Sequence, residues 1–212
     1  MKFKEEGIYH IYNRGNKKQK TFFKEENYLY FIKKVRIELL PYCEILAYCL
    51  MPNHFHFIAF IKNKKRNALD NDDKSNKTLN NAIAILLRSY TRSMQAQENF
   101  TGSLFQQKTK AKELIDTDNA TINYISLCAH YIHLNPLKSK IVQNLEEWKF
   151  SSYLDYMNLR NGSLCNRTMF YSIAEISEDD FINESIRHRM TTASSSDDGN
   201  EENLVLNSFY AR

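Results

Sequence analysis

The sequence predicts an α+β protein in which strands and amphipathic helices alternate along the chain. Runs rich in strand-forming residues occupy 8–13, 43–50 and 54–61, whereas apolar residues recur at mainly helical spacing over 25–40 and 79–96. The chain has 212 residues, of which 42% are hydrophobic and only 5 are glycine. This length and composition favour one domain with a sizeable core and with appendages.

The first half is predicted to contain a strand, a helix and a hairpin. A basic loop follows the strand 8–13; its positively charged residues are Arg14, Lys17, Lys18 and Lys20. The helix 25–40 has predicted apolar positions at Leu29, Ile32, Val35, Ile37 and Leu40, and Pro41 ends it. Because residues 51–53 have turn chemistry, the strands 43–50 and 54–61 are expected to pair as a hairpin.

The second half is predicted to begin with an exposed, mobile connection over 62–78, which is polar and lacks periodicity. On the helix 79–96 that follows, Arg88 and Arg92 are four residues apart and therefore share a face. A strand is expected over 103–115. Alternation along it would place three lysines on one side, namely Lys108, Lys110 and Lys112.

The last predicted helix of the domain begins near Asp116 or Thr117, either of which can cap it, and ends at Asn135 because Pro136 follows. The chain as a whole is expected to divide into a domain over 1–160, a C-terminal extension over 161–190 and a disordered acidic tail over 191–212.

Charge and composition restrict the function without deciding it. The tail holds more acidic than basic residues, so the rest of the chain is more positive than the formal net charge of +4. A cationic body suits a nucleic acid, although an ordinary lysine-rich surface would have the same charge. The N-terminus lacks the apolar run of a signal peptide, no stretch is long enough to cross a membrane, and the four cysteines lack C-x-x-C spacing. A cytoplasmic protein without a structural zinc site is therefore expected.

The pair His54 and His56 is the first chemical signal. Side chains two apart on a strand project to the same side, so the two imidazoles form a ready pair of metal ligands, with Phe55 between them facing the core. Two ordinary strand histidines would give the same pattern. Two ligands alone rarely suffice to bind a metal.

The second signal is Tyr131, which shares a helix face with Asn135, while Ile125, Ala129 and Ile132 form the expected buried stripe. With 13 tyrosines in the chain, a core aromatic is the simpler interpretation of Tyr131 taken alone. Together, the two signals predict a mechanism. A metal held by two histidines and an amide oxygen, Mg²⁺ or Mn²⁺, could orient a phosphate for attack by the tyrosine, and the phosphotyrosine formed would retain the energy needed for resealing.

At these residues the sequence resembles the single-tyrosine HUH transposases, and specifically the REP-associated tyrosine transposases. The H-F-H pair resembles the HUH motif, and Tyr-Ile-His-Leu-Asn-Pro resembles their Tyr-Ile-x-x-Asn-Pro signature. The resemblance extends over about residues 7–157, and its motifs occur in the same order, at 9–15, 47–56, 102–106, 131–136 and 148–153. Each motif alone is weak, but five in order are specific.

The resemblance implies a ferredoxin-like or RRM-like sandwich, with the histidines on an antiparallel sheet and the tyrosine on a helix beside it. It implies that His54, His56 and Asn135 bind the metal and that Tyr131 is the nucleophile. The enzyme would cut single-stranded DNA near imperfect hairpins and attach itself to the 5′ end. A monomer is expected, with a dimer as the alternative.

Two departures from the family pattern concern DNA contacts. Lys108 and Thr109 stand where an arginine and an aromatic residue are common, and Leu137-Lys138 replaces a valine-arginine pair. Lysine keeps the charge but lacks the bidentate fork of arginine. Candidate phosphate contacts are Arg14, Lys17, Lys18, Lys20, Arg88, Arg92, Lys108, Lys110 and Lys112, and candidate base-stacking residues are Tyr9, Tyr12 and Phe105.

Two other functions remain open at this point. A non-catalytic nucleic-acid-binding module of the same fold would keep the basic surface but would not need the two histidines, Tyr131 and Asn135 together. A metal-dependent nuclease that uses water would leave free DNA ends and no adduct. His130 and His133 flank Tyr131 and could move protons, although the direction of His133 on the helix favours a structural role.

Overall fold

A computed structural model describes residues 1–63, 78–114 and 124–194. Four strands form one antiparallel sheet in the order β2-β3-β1-β4. The strands are β1 (Ile8–Arg14), β2 (Cys43–Met51), β3 (His54–Ile61) and β4 (Lys110–Glu113). The helices are α1 (Glu25–Glu38), α2 (Leu79–Glu98), α3 (Tyr124–Lys138), α4 (Tyr153–Tyr156), α5 (Arg167–Ile173) and α6 (Glu178–Ser194). Among the described helices, none is both long and apolar enough to span a membrane.

The first six elements form a β-α-β-β-α-β unit with the strand order of a ferredoxin-like fold. The predicted α+β class, the antiparallel sheet and the hairpin of β2 and β3 are therefore confirmed. The predicted strand over 103–115 was too long, since only Lys110–Glu113 pairs with β1 as a regular strand.

Helices α1 and α2 cover one face of the sheet. Aromatic side chains dominate this core, in which Phe31 of α1 contacts Phe55 and Phe57 of β3 and also Tyr90 of α2. The predicted apolar face of α1 was wrong in part. Its buried side chains are Tyr28, Phe31 and Val35, whereas Leu29 and Ile37 are 55% and 56% exposed. Because this buried stripe at positions i, i+3 and i+7 faces the sheet, Leu29 and Ile37 project toward solvent.

Helix α3 covers the other face of the sheet, with α5 and α6 beside it. Ile125, Ala129 and Ile132 form the buried stripe of α3, as predicted, and contribute to a second core with Cys49 and Ile58 of the sheet. Helix α6 packs on α3 and continues to Ser194, so it passes the expected boundary at residue 191. The rest of the expected tail, most of the connection 62–78 and the expected helix start at Asp116 or Thr117 lie outside the described residues.

A salt bridge fixes the chain after α4. The buried carboxylate of Asp155 accepts hydrogen bonds from Nε and Nη2 of Arg160, at 2.8 and 2.7 Å, and from the backbone N–H of Gly162 at 2.9 Å. We expect Asp155→Ala to lower the free energy of unfolding by roughly 2–3 kcal/mol, because it leaves the guanidinium of Arg160 without its counter-charge. The loss stays below that of a fully buried pair, since the Arg160 side chain is 31% exposed.

Chemical denaturation of the variant and the parent protein measures this difference. Asp179→Ala is the matched control, because Asp179 is an exposed acidic residue in the first turn of α6. Its effect should stay within about 0.5 kcal/mol. Equal stabilities of the Asp155 and Asp179 variants would contradict the structural role of the salt bridge.

Candidate active site

All the residues predicted for catalysis line one cavity. It has a volume of about 280 Å³. Its lining residues are Tyr12, Asn13, Arg14, His54, His56, Gln106, Lys108, Lys110, Tyr131 and Asn135. The histidine pair of β3 therefore meets the tyrosine and the asparagine of α3, although the two motifs are far apart in the sequence.

His54 and His56 project from the same face of β3, as the strand period predicts. Their rings are perpendicular, with centroids 4.9 Å apart, and Phe55 lies in the core on the opposite face. Burial, with a smaller contribution from the neighbouring Arg14, lowers the pKa of His54 to about 4. Burial is also the main cause that holds the pKa of His56 well below its ordinary value. Both rings are therefore neutral at pH 7, which is the form that binds metals.

The Nδ1 atom of each histidine already has a hydrogen-bond partner. Nδ1 of His56 lies 2.8 Å from Nε2 of His10, and Nδ1 of His54 lies 2.6 Å from Oδ1 of Asn53. Nε2 of His56 is buried and has no hydrogen-bond partner among the described residues. An unsatisfied buried polar group costs on the order of 1–3 kcal/mol, and a metal bound at that nitrogen would remove the cost.

Tyr131 lies on α3 beside the histidine pair. Its ring centroid is 6.1 Å from that of His56, and the two rings are nearly perpendicular. Nζ of Lys138, two turns further along the helix, lies 5.5 Å from the centre of the Tyr131 ring. Burial raises the pKa of Tyr131 above its ordinary value. The phenol is therefore protonated at neutral pH and would have to lose its proton during an attack.

Asn135 explains why α3 continues through Pro136 instead of ending at Asn135, as the sequence had predicted. Proline lacks the N–H that would bond to the carbonyl of Ile132 in a regular helix. Nδ2 of Asn135 donates to that carbonyl at 3.3 Å and to the carbonyl of Tyr131 at 2.9 Å. The Asn135 side chain also lies close enough to His54 to raise its pKa, and Oδ1 is the amide atom that the two backbone contacts leave unused. The amide oxygen therefore faces the histidine pair.

The donor set of the cavity fits a single divalent cation. In the described part of the chain, no group of three or more His, Cys, Asp and Glu residues could hold a metal, so a third protein ligand would have to be of another type. The amide oxygen of Asn135 is such a donor, and two imidazoles with one oxygen leave coordination positions open. The described lining residues include no carboxylate.

The predicted basic residues divide into three groups. Arg14, Lys108 and Lys110 line the cavity, and Lys112 is paired with His10 on the neighbouring strand. Arg88 and Arg92 share a face of α2, as predicted, and line a second cavity of about 740 Å³ between α2 and residues 103–109, which Lys108 also lines. Lys17, Lys18 and Lys20 are exposed in the loop after β1 and line neither of the two cavities.

The positions of the residues do not support proton transfer by the two histidines that flank Tyr131, or base stacking by two of the three aromatic candidates. His130 bonds to Ser185 and to Glu184 of α6, and His133 bonds to Ser152, so neither histidine lines the cavity of Tyr131. The structural interpretation of His133 is thereby confirmed. Of the candidate stacking residues, Tyr9 and Phe105 are only 4% exposed and belong to the core, whereas Tyr12 faces the cavity.

Sequence reasoning missed His10 and Asn53. His10 is fully buried on β1, and its ring centroid lies 4.7 Å from that of Tyr12 and 5.0 Å from that of His56. A signal was present, because His10 and Tyr12 alternate on one strand just as His54 and His56 do. It could not be used without the pairing of β1 with β3, which sets Tyr12 opposite His56.

The fold is similar to that of a solved structure described as a REP-associated tyrosine transposase bound to a REP hairpin. The likeness covers 74% of this chain and 83% of the transposase, with a TM-score of 0.52 and 17% sequence identity. No protein-family model matches the sequence, and a comparison with curated proteins found no match. The resemblance inferred from the five motifs is thus confirmed at the level of the fold.

Proposed function

We propose that the protein is a metal-dependent DNA strand transferase that cuts single-stranded DNA beside hairpins and forms a 5′-phosphotyrosine intermediate through Tyr131. The observation that supports this most is the meeting of Tyr131, Asn135 and the two histidines in one cavity. A binding module has no need of this combination. The similar fold of a transposase bound to a DNA hairpin supports the same class of substrate.

In the proposed reaction, Oη of Tyr131 forms a bond to the phosphorus while the bond from phosphorus to O3′ breaks. The phenol proton is lost to solvent, and the leaving O3′ takes up a proton. The downstream DNA thereby stays attached to the protein through its 5′ phosphate, and the upstream DNA ends in a free 3′-OH. Reversal with another 3′-OH reseals a strand, because the ester conserves the energy of the phosphodiester.

His54, His56 and Asn135 would hold the metal, Mg²⁺ or Mn²⁺. When bound, the metal supplies charge neutralisation and orientation of the phosphate. Arg14, Lys108 and Lys110 add positive charge at the same cavity and would bind flanking phosphates. The absence of carboxylates among the described lining residues favours a phosphate substrate and gives an attacking water no carboxylate base.

The second cavity offers a path for the strand that leaves the active site. It shares Gln106 and Lys108 with the first cavity, and Arg88 and Arg92 line it from α2. We expect Arg88→Ala with Arg92→Ala to weaken DNA binding and to reduce the slope of log K against log salt by up to about 1.4, because each single-strand phosphate that an arginine no longer neutralises lowers the slope by roughly 0.7.

Fluorescence anisotropy over a series of salt concentrations measures this slope. The control is Lys33→Ala, an exposed lysine of α1 that lines neither cavity, and its slope should equal that of the parent protein. If the double variant and the control have the same slope, DNA does not follow this cavity.

An adduct assay with DNA labelled at either end tests the proposed function. The protein is incubated with hairpin-forming single strands from around its own gene, with Mn²⁺ or Mg²⁺, and separated on a denaturing gel. A 3′ label should migrate with the protein, whereas a 5′ label should be released on a shorter fragment with a 3′-OH. Cleavage without an adduct would identify a nuclease that uses water. Salt-sensitive binding without cleavage would identify a binding module.

A further inference from the structure

We infer that His10 is a positioning residue that sets the tautomer of His56, so that Nε2 of His56 offers its lone pair to a metal. The inference deepens the proposed metal site, on which it rests. His10 is fully buried on β1, and its Nε2 lies 2.8 Å from Nδ1 of His56. His10 is not among the residues that line the cavity, so it acts through His56 and not on the substrate.

Two neutral imidazole rings can place only one proton between His10 Nε2 and His56 Nδ1. Either His56 donates from Nδ1 to His10, or His10 donates from Nε2 to His56. In the second case the neutral His56 ring would carry its own proton on Nε2, which is buried and has no partner among the described residues. In the first case Nε2 is an unprotonated acceptor. The first arrangement pairs the N–H of His56 and is also the one in which Nε2 can bind a cation.

Packing restricts the ring planes of both histidines. The rings of His10, Tyr12 and His56 lie together in near-parallel planes: the His10 centroid is 4.7 Å from that of Tyr12 and 5.0 Å from that of His56, and the Tyr12 and His56 centroids are 5.8 Å apart. Rotation of either histidine ring would break the hydrogen bond and disturb this packing. His10 therefore holds the direction of His56 in addition to the position of its proton.

The same arrangement recurs at the second histidine. Oδ1 of Asn53 lies 2.6 Å from Nδ1 of His54, and a carbonyl oxygen can only accept, so His54 donates from Nδ1. Nδ2 of Asn53 bonds to the carbonyl of Lys18 at 3.3 Å, which fixes the orientation of the amide. Both histidines thus have Nδ1 occupied as a donor, and Nε2 is the ligand atom that each can offer.

Nitrogen NMR of the metal-free protein tests the tautomer directly, independently of any catalysis. The ¹⁵N shifts of the imidazoles should identify His56 as protonated on Nδ1. Protonation on Nε2 would overturn the inference even if the protein forms a DNA adduct. Conversely, a protein that forms no adduct but has the Nδ1–H tautomer would contradict the proposed function and leave the inference intact.

Two substitutions test the effect on metal binding. His10→Phe keeps an aromatic ring but removes the acceptor, and should raise the Mn²⁺ dissociation constant by about 10–100-fold in calorimetry. His10→Gln places an amide oxygen near the position of Nε2 and should bind Mn²⁺ nearly as well as the parent. Equal losses in both variants would assign His10 a merely structural role. If the phenylalanine variant does not fold, the NMR result and the glutamine variant still test whether His10 sets the tautomer of His56.

Discussion

Replacing Tyr131 by phenylalanine should abolish the covalent protein–DNA adduct. The change removes only the phenolic oxygen, which would be the attacking atom, and leaves a ring of the same shape in the half-buried position beside His56. Loss of a nucleophile typically lowers the rate by about 10⁴-fold or more, so no adduct should appear on the time scale of the parent reaction. A denaturing gel with 3′-labelled DNA measures the amount of covalent adduct over time.

Tyr12→Phe is the matched control, because Tyr12 lines the same cavity and also has a raised pKa through burial. This variant should still form the adduct, and mass spectrometry of the parent protein should locate the nucleotide on a peptide that contains Tyr131. An adduct that survives in the Tyr131 variant and disappears in the Tyr12 variant would assign the nucleophile to β1 instead of α3.

Replacing His56 by alanine should remove both metal binding and strand cleavage. The imidazole has the buried Nε2 that the metal would satisfy, and His54 supplies the only other imidazole among the described lining residues of the cavity. Loss of a residue behind a metal ligand already costs about 10–100-fold in affinity, so loss of the ligand itself should exceed about 100-fold. Calorimetric titration with Mn²⁺ and the adduct assay measure the two effects.

His188→Ala, on α6 and outside the cavity, should bind Mn²⁺ as the parent does. Since His56 is buried and its replacement could unfold the protein, thermal unfolding should be recorded, and the less buried His54→Ala serves as a second variant. Folded His54 and His56 variants with unchanged Mn²⁺ affinity would exclude the proposed metal site.

The relative positions of the candidate site residues could be predicted from the sequence where a local period was sufficient. The period of a strand places His54 and His56 on one side, and the period of a helix places Tyr131 and Asn135 on one side. Neither period says which strand lies next to which. For that reason His10 was missed, since its contact with His56 depends on the register of β1 against β3.

The errors in the predicted elements also have physical causes. Pro136 usually ends a helix, but the Asn135 amide replaces the missing backbone donor and α3 continues to Lys138. The alternating lysines predicted a long strand, but the residues just before Lys110 contact a side chain of β1 instead of extending the regular strand. Nδ2 of Asn13 donates to the carbonyl of Gln106 and to Oγ1 of Thr109, at 3.1 and 3.0 Å. Asn13 thus takes the place of backbone pairing between β4 and the antiparallel bridge that Phe105 forms with Gly15.

The double role of Asn135 has a thermodynamic consequence. One end of its amide supports the backbone of α3 at Tyr131, and the other end faces His54. A cation bound by the amide oxygen would therefore affect the position of Tyr131, and by reciprocity a displacement of α3 would change the affinity for the cation. In the proposed reaction, metal binding and the alignment of the Tyr131 oxygen would then form one linked equilibrium, in which a DNA strand bound against α3 would raise the affinity for the metal.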